Sequence, residues 1–269
     1  MILGSIGISD SVSAFDPDAQ AYFTANSAYI TSTADKNAIN NFFVGLKTDG
    51  VYSKIRAMHL PIWGAAAGCK WNLVNPLDTN AAHRLTYASG MTFQNSVGDK
   101  GMTSNGTAYA DTNLNQSVLS QNSTHLSFYS RTNLNANQAE IGIHAGNYNL
   151  MQIRVSGTGY YLINTGGLPT AAETDSRGFF IGNRQASNDI DAWKNGVKIL
   201  NGTTASGTVA SGNLFLLAYN NIQGGGGASA VSTKQCAFAS TGDGLTDTEA
   251  ANFSNRVNTL LTYFGINMY

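Results

Sequence analysis

The sequence predicts a mainly β protein: an antiparallel β-sandwich with two helices before it and one after it. Three observations predict this fold: an Asn-Gly hairpin within residues 187–200, many strand-length runs separated by Gly and Asn, and capped amphipathic segments near both ends. Short strands joined by turn residues favour a sandwich or barrel over alternating β-α-β units. We find no internal repeat and no clear linker, so one domain is the simplest interpretation.

The first residues predict an arm. Residues 1–15 alternate small and apolar side chains, which suits either an arm lying along a partner subunit or a first β-strand. This stretch has no basic region and no continuous apolar core, so it does not predict a secretory signal peptide.

Residues 16–53 are predicted to form a helical segment packed on the sandwich. Asp16 precedes a proline, which is the pattern of an N-cap followed by the first helical position, and this helix should span 17–26. A second helix is predicted over 34–48, because its apolar residues follow the i, i+3, i+4, i+7 spacing. Gly50 should end it.

The sandwich is predicted to span residues 54–269. Its strands are predicted at 54–59, 70–74, 85–87, 107–110, 124–131, 140–143, 150–155, 160–164, 178–183, 190–193, 197–200, 213–219 and 235–240. The clearest signal is Asn195-Gly196, because these residues suit the two positive-φ positions of a type I′ turn. A final helix is predicted over 247–264, where Thr246 and Glu249 have the spacing of a capping box.

Composition excludes several function classes. Only 12% of residues are charged, the net charge is −1, and no basic run exists, so nucleic-acid binding is not predicted. No stretch approaches the ~20 apolar residues that cross a bilayer, so a membrane partner is not predicted either. Low charge with abundant Gly, Asn, Ser and Thr is typical of exported or virus-borne β proteins.

The sequence does not predict an enzyme. Retaining glucanases of sandwich fold use two carboxylates about 5–5.5 Å apart, yet the three glutamates, Glu140, Glu173 and Glu249, form no such motif. The four histidines have no zinc spacing, and there is no Gly-x-Ser-x-Gly elbow, so no catalytic residue is assigned.

Aromatic side chains beside Asn and Asp loops suggest a carbohydrate site, because sugars stack on aromatic faces. The ligand contacts we predict are Trp193, Tyr160 and Tyr219, with Tyr148 and Tyr161 as further candidates. The alternative is that most of these rings belong to the core or to cross-strand pairs.

Several stretches resemble known families. The hairpin at 187–200 resembles that of laminin G-like and other concanavalin A-like jelly rolls. Residues 70–76, 122–132 and 238–250 together resemble virion-associated proteins of phages that infect Bacteroidetes. This resemblance implies a concanavalin A-like antiparallel sandwich in a decoration, spike, fibre or tail-associated protein, and it implies no catalytic residue.

The resemblance also implies a location and partners. We expect a virion protein that binds other capsid or tail proteins, forms a homo-oligomer such as a trimer, and uses residues 1–15 as an anchor. Its task would be adhesion to a host-surface glycan or stabilisation of the particle. The alternatives are a secreted lectin-like adhesin and, third, a glycoside hydrolase of the concanavalin A-like class.

Calcium is the one cofactor that the resemblance raises, since several such sandwiches bind Ca²⁺ with Asp, Asn and loop carbonyls. Asp189 and Asp191 lie at alternate positions of a predicted strand and would supply hard oxygen ligands. Asp243-Gly244 is a second candidate. The alternative is that these residues are turn and cap residues.

Overall fold

The structure is a computed structural model and describes residues 15–268. The predicted arm, residues 1–15, therefore lies outside the described residues except for Phe15. The helices are α1 (Pro17–Ala25), α2 (Thr33–Thr48), α3 (Ala66–Cys69) and α4 (Asp247–Tyr263). The strands are β1 (Ile55–His59), β2 (Thr86–Tyr87), β3 (Met91–Ser96), β4 (Asp99–Ser104), β5 (Ala110–Asn115), β6 (Thr124–Ser130), β7 (Ile141–Ala145), β8 (Asn147–Val155), β9 (Thr158–Thr165), β10 (Thr170–Ala172), β11 (Gly178–Ala186), β12 (Asp189–Lys194), β13 (Val197–Gly202), β14 (Asn213–Leu216), β15 (Tyr219–Asn221), β16 (Ala228–Ser229) and β17 (Cys236–Gly242).

Two sheets form the sandwich. Among the described residues, sheet A has eight strands in the order β13-β12-β11-β6-β17-β4-β3, with β1 paired to β17. Sheet B has nine strands. Seven follow the order β10-β9-β8-β7-β14-β5-β2, and in addition β15 pairs with β7 and β16 pairs with β15. Within residues 15–268, all pairs of strands are antiparallel except β15 with β7. The predicted fold class, a mainly β sandwich with two N-terminal helices and one C-terminal helix, is confirmed.

The predicted helix caps and hairpin turn are present. The Asp16 side chain accepts from the Asp18 backbone N–H at 3.0 Å, and Thr246 and Glu249 form both hydrogen bonds of the capping box. The turn between β12 and β13 has positive φ at Asn195 and Gly196, as a type I′ turn requires. No helix within residues 15–268 combines the length and the apolar character that a membrane span needs.

Two hydrophobic cores hold the layers together. One lies between the sheets and includes Phe128 of β6 and Phe180 of β11. The other lies between the opposite face of sheet A and the helices, where the Phe253 ring of α4 meets Phe179 and Phe238 at centroid distances of 5.3 and 5.8 Å. Edge-to-face aromatic packing of this kind stabilises beyond simple area burial. Sheet A is therefore covered on both faces.

The strand predicted at 70–74 is wrong. This segment is a loop because the side chain of Asn72 holds it against neighbouring backbone. Its Oδ1 accepts from the Met58 N–H at 3.0 Å, and its Nδ2 donates to the carbonyl oxygens of Arg56 and Ala82 at 3.3 and 3.0 Å.

Three further differences from the sequence predictions occur. The strand predicted at 107–110 begins only at Ala110 and runs on to Asn115 as β5. The β3–β4 hairpin was not predicted, since its strands are largely polar and lack a clear alternation. The strand predicted at 213–219 is interrupted by Leu217, whose φ of 59° ends β14 and redirects the chain into β15. A positive φ at a leucine is unusual and marks a position that its surroundings hold firmly.

Two histidines are buried between the layers. His59 Nδ1 lies 3.1 Å from the Trp71 carbonyl oxygen, and its Nε2 has no partner among the described residues. His125 donates from Nδ1 to the Asp243 carbonyl oxygen at 2.6 Å, and its Nε2 lies 3.1 Å from Ser240 Oγ. Burial lowers the pKa of each imidazole to about 4, although the hydrogen bonds to backbone carbonyls oppose this change.

We predict that the free energy of unfolding falls as the pH drops from about 6.5 to about 4. An unfolded histidine takes up its proton near pH 6.5, whereas the folded-state pKa of His59 and of His125 is about 4, so acid favours the unfolded chain across this window. Over this pH range, each histidine should lower the free energy of unfolding by about 3 kcal/mol. Urea unfolding followed by fluorescence at a series of pH values measures the effect.

The variant His59→Leu should lose about half as much stability over the same window, because one of the two buried imidazoles is gone. A stability that stays constant between these pH values in the wild type, or an unchanged pH dependence in His59→Leu, would contradict the prediction.

Candidate functional site

The candidate site lies on the face of sheet B that points away from sheet A. Alternation along β8 sends Met151 and Ile153 into the core between the sheets and sends Tyr148, Leu150 and Gln152 to the other side. On the neighbouring strand β9, Tyr160 and Leu162 point the same way. The register pairs Gln152 with Tyr160 and Leu150 with Leu162, so these side chains are direct neighbours.

These side chains form a cleft of about 360 Å³, within the range usual for small-ligand sites. Its floor is apolar, since Leu150 and Leu162 are only 2% and 3% exposed. Its walls come from strands and loops that rise over the floor. The lining residues are Asn137, Tyr148, Leu150, Gln152, Tyr160, Leu162, Leu168, Tyr219, Ser229 and Ala230. None of them is charged.

Aromatic rings stand along the cleft. The His144 ring stacks on Tyr148, with centroids 4.0 Å apart and planes 17° apart, and it meets Tyr219 edge-on at 6.3 Å. Tyr148 and Tyr160 are separated along the sheet by about four residues of strand, or ~14 Å. The hydroxyls of Tyr148, Tyr160 and Tyr219 have no hydrogen-bond partner among the described residues. These hydroxyls are therefore available to a ligand, as are the ring faces that His144 does not cover.

A glycine keeps the floor of the cleft closely packed. Gly142 of β7 pairs with Leu150 of β8, and a Cβ added at Gly142 would lie 2.2 Å from the Leu150 Cβ. The φ of Gly142 is 154°, in a region that other residues rarely adopt. A side chain here would push Leu150 into the cleft.

The structure brings two of the predicted ligand residues together and separates the third. Tyr160 and Tyr219 both line the cleft, and both are partly exposed. Trp193 is only 2% exposed and lies in the core between sheet A and the helices, so its ring offers no face for stacking. The further candidate Tyr148 lines the cleft, whereas Tyr161 is fully buried between the sheets.

Sequence reasoning missed the remaining lining residues. Gln152 was overlooked, although the i, i+2, i+4 spacing of Tyr148, Leu150 and Gln152 places all three on one face of a strand. The contribution of Asn137 carried no sequence signal, because it reaches the cleft from a loop that precedes β7.

The predicted metal ligands lie elsewhere, under the N-terminus of α4. Asp191 accepts from Lys198 Nζ at 2.9 Å, and the same ammonium lies 2.7 Å from Asp247 and 4.9 Å from the centre of the Trp193 ring. Burial raises the pKa of the Asp191 carboxyl, and Lys198 offsets this only in part. Asp189 is half-buried on the same strand.

The positive charge that calcium would supply beside Asp191 is thus already supplied by Lys198. Within residues 15–268, no group of three or more His, Cys, Asp and Glu side chains is arranged to hold a metal ion. Asp243 is the other predicted metal ligand. Its carbonyl oxygen accepts a hydrogen bond from His125, and its carboxylate pairs with Arg56 at 3.5 Å.

Each glutamate has a structural partner. Glu140 pairs with Lys234 at 2.8 Å, and both side chains are fully buried. Glu173 pairs with Lys194 at 2.7 Å, and Glu249 closes the capping box of α4. None of these three glutamates is among the described residues that line the cleft.

A scan of protein-family models and a search of curated protein sequences gave no match. Solved structures with a similar fold include the binding domain of Paraclostridial Mosquitocidal Protein 1, with a TM-score of 0.52 and 10% identity over 80% of this chain and 56% of that one. The binding domain of Botulinum neurotoxin DC, in complex with rat synaptotagmin II, has a TM-score of 0.49 and 9% identity over 76% of this chain and 52% of that one.

A third similar structure is domain 4 of AbnA, a GH43 extracellular arabinanase from Geobacillus stearothermophilus, in complex with arabinotriose. Its TM-score is 0.47, with 10% identity over 75% of this chain and 98% of that domain. The chain spans about half the length of the mosquitocidal-protein and neurotoxin chains. At this identity the similarity to the mosquitocidal protein shows a shared β-sandwich fold.

We predict that removing the Lys198 charge destabilises the protein while chelation does not. The variant Lys198→Met should lower the free energy of unfolding by about 2 kcal/mol, because it leaves the buried Asp191 carboxylate without its cation. The double variant Asp191→Asn with Lys198→Met should recover most of that loss. EDTA should leave the melting temperature of the wild type unchanged; a lower melting temperature in EDTA would support the calcium site instead.

Proposed function

We propose that this protein is a glycan-binding module and that the tyrosine cleft on sheet B is its binding site. The observation that carries this proposal is the combination of an apolar floor, uncharged amide side chains and three partly exposed tyrosines in one cleft, whose hydroxyls have no hydrogen-bond partner within residues 15–268. Sugar rings have apolar faces that stack on aromatic rings and hydroxyls that need a few fixed polar partners.

Two arguments support binding without catalysis. In the part of the chain that the structure describes, the cleft lining has no carboxylate, whereas most glycosidases need a pair of them flanking the scissile bond. The fold is shared with a domain that serves as the binding domain of a mosquitocidal protein. This second argument is an analogy at the level of the fold, since one fold hosts many functions.

We predict that the cleft tyrosines are required for glycan binding. The variants Tyr148→Ala and Tyr160→Ala should each weaken binding at least about tenfold, because each removes a stacking surface. A glycan array first identifies a ligand, and isothermal titration calorimetry then compares the variants with the wild type. Tyr263→Ala is the matched control, because Tyr263 is an exposed tyrosine on α4, on the opposite side of the sandwich. Equal affinities in all four proteins would reject the cleft as the site.

We further propose that the module is displayed on a phage virion, as a decoration, spike, fibre or tail-associated protein that forms homo-oligomers. The resemblance of residues 70–76, 122–132 and 238–250 supports this, together with the low charge of the chain. Mass spectrometry of purified phage particles should detect the protein, and light scattering of the isolated protein should give a multiple of 28.4 kDa such as a trimer. Absence from purified particles would favour the secreted adhesin.

A further inference from the structure

One end of the cleft presents a matched donor and acceptor. Gln152 Nε2 donates to Asn137 Oδ1 at 2.9 Å, and this hydrogen bond fixes the two amides side by side. It leaves the carbonyl oxygen of Gln152 as an acceptor and the amide nitrogen of Asn137 as a donor, and neither has another partner among the described residues. Two adjacent groups of opposite hydrogen-bonding character therefore face a ligand together.

An aromatic ring lies beside this amide pair. Tyr160 is the direct cross-strand partner of Gln152, so its ring and the amides belong to the same end of the cleft. Adjacent hydroxyls on a sugar ring can use such a pair, one hydroxyl donating to the Gln152 oxygen while its neighbour accepts from the Asn137 nitrogen. The apolar face of the same ring would then stack on Tyr160.

No cationic side chain among the described residues lines the cleft, since its lining includes no Lys, Arg or His. The His144 imidazole stacks on Tyr148, at the other end of the cleft from the amide pair. The next residue on this face of β8 is Arg154, and its guanidinium is directed to the side chain of Asn133 at 2.7 Å and does not line the cleft. A carboxylate placed over the apolar floor would lose its hydration without gaining a cation, which is strongly unfavourable.

We propose that this site recognises uncharged sugars through two adjacent hydroxyls held by Asn137 and Gln152, and that it excludes sugars that carry a carboxylate. This inference rests on the proposed glycan-binding function and specifies its ligand class. Because the recognition is by neutral groups, binding should be almost independent of salt concentration.

The test compares neutral and acidic sugars of matched length. Calorimetry with the full chain uses cellotriose, maltotriose, mannotriose and xylotriose as neutral probes, and trigalacturonic acid as the acidic one. The expected result is that at least one neutral trisaccharide binds at least about tenfold more tightly than trigalacturonic acid, with the same affinity in about 0.05 M and about 0.5 M NaCl.

A second arm tests the amide pair. Gln152→Leu keeps the approximate size of the side chain but removes the acceptor, and it should weaken binding of the neutral trisaccharide at least about tenfold. Gln20→Leu is the matched control, because Gln20 is an exposed glutamine on α1, away from sheet B. Thermal unfolding of both variants should match that of the wild type, which separates recognition from folding.

The possible outcomes distinguish this inference from the function on which it rests. Equal or tighter binding of trigalacturonic acid, or wild-type affinity in Gln152→Leu, would overturn the ligand class while leaving glycan binding intact. If none of these sugars binds the wild type, the ligand class is overturned, and if the glycan array gives no ligand either, the proposed function is overturned with it.

Discussion

The burial of sheet A on both faces is the constraint on which the rest of the structure depends. Every residue of β6 and β17 is buried, because one face of the sheet packs on sheet B and the other on the helices. Antiparallel sheets commonly leave one face to solvent, so this sheet needs a helical cover drawn from both ends of the chain. Loss of α4 would remove the Phe253 ring and expose Phe179 and Phe238, on which it packs.

Covering sheet A leaves the outer face of sheet B for a ligand. The side chains on that face are not those of an ordinary solvent-exposed sheet, since the floor leucines are nearly inaccessible and tyrosines rise around them. Single apolar residues on a protein surface are common, whereas an apolar floor enclosed by walls is typical of a binding site. The two sheets therefore differ in what covers them. Sheet A has a hydrophobic core on each face, whereas sheet B has a core on one face and the cleft on the other.

Local signals were read well from the sequence, and tertiary ones were not. The Asn195-Gly196 turn and the capping box at Thr246 depend on neighbouring residues only, so their chemistry was visible in the chain. Trp193 shows the limit, because alternation along a strand places it on one face of the sheet without telling whether a helix covers that face. The strand expected at 70–74 failed for a similar reason, since Asn72 satisfies distant backbone groups that only the folded chain brings near.

The pairing of β17 has a consequence for how the chain folds. This strand comes almost last in the sequence, yet it lies between β6 on one side and β1 and β4 on the other. Until residues 236–242 have left the ribosome, sheet A therefore lacks its central strand, and the edges of β1, β4 and β6 that pair with β17 stay unpaired. Such long-range pairing is characteristic of slow folders, on the millisecond-to-second scale. During synthesis the nascent chain would thus expose open sheet edges that are prone to aggregation, so its yield should depend on chaperones and on the rate of translation.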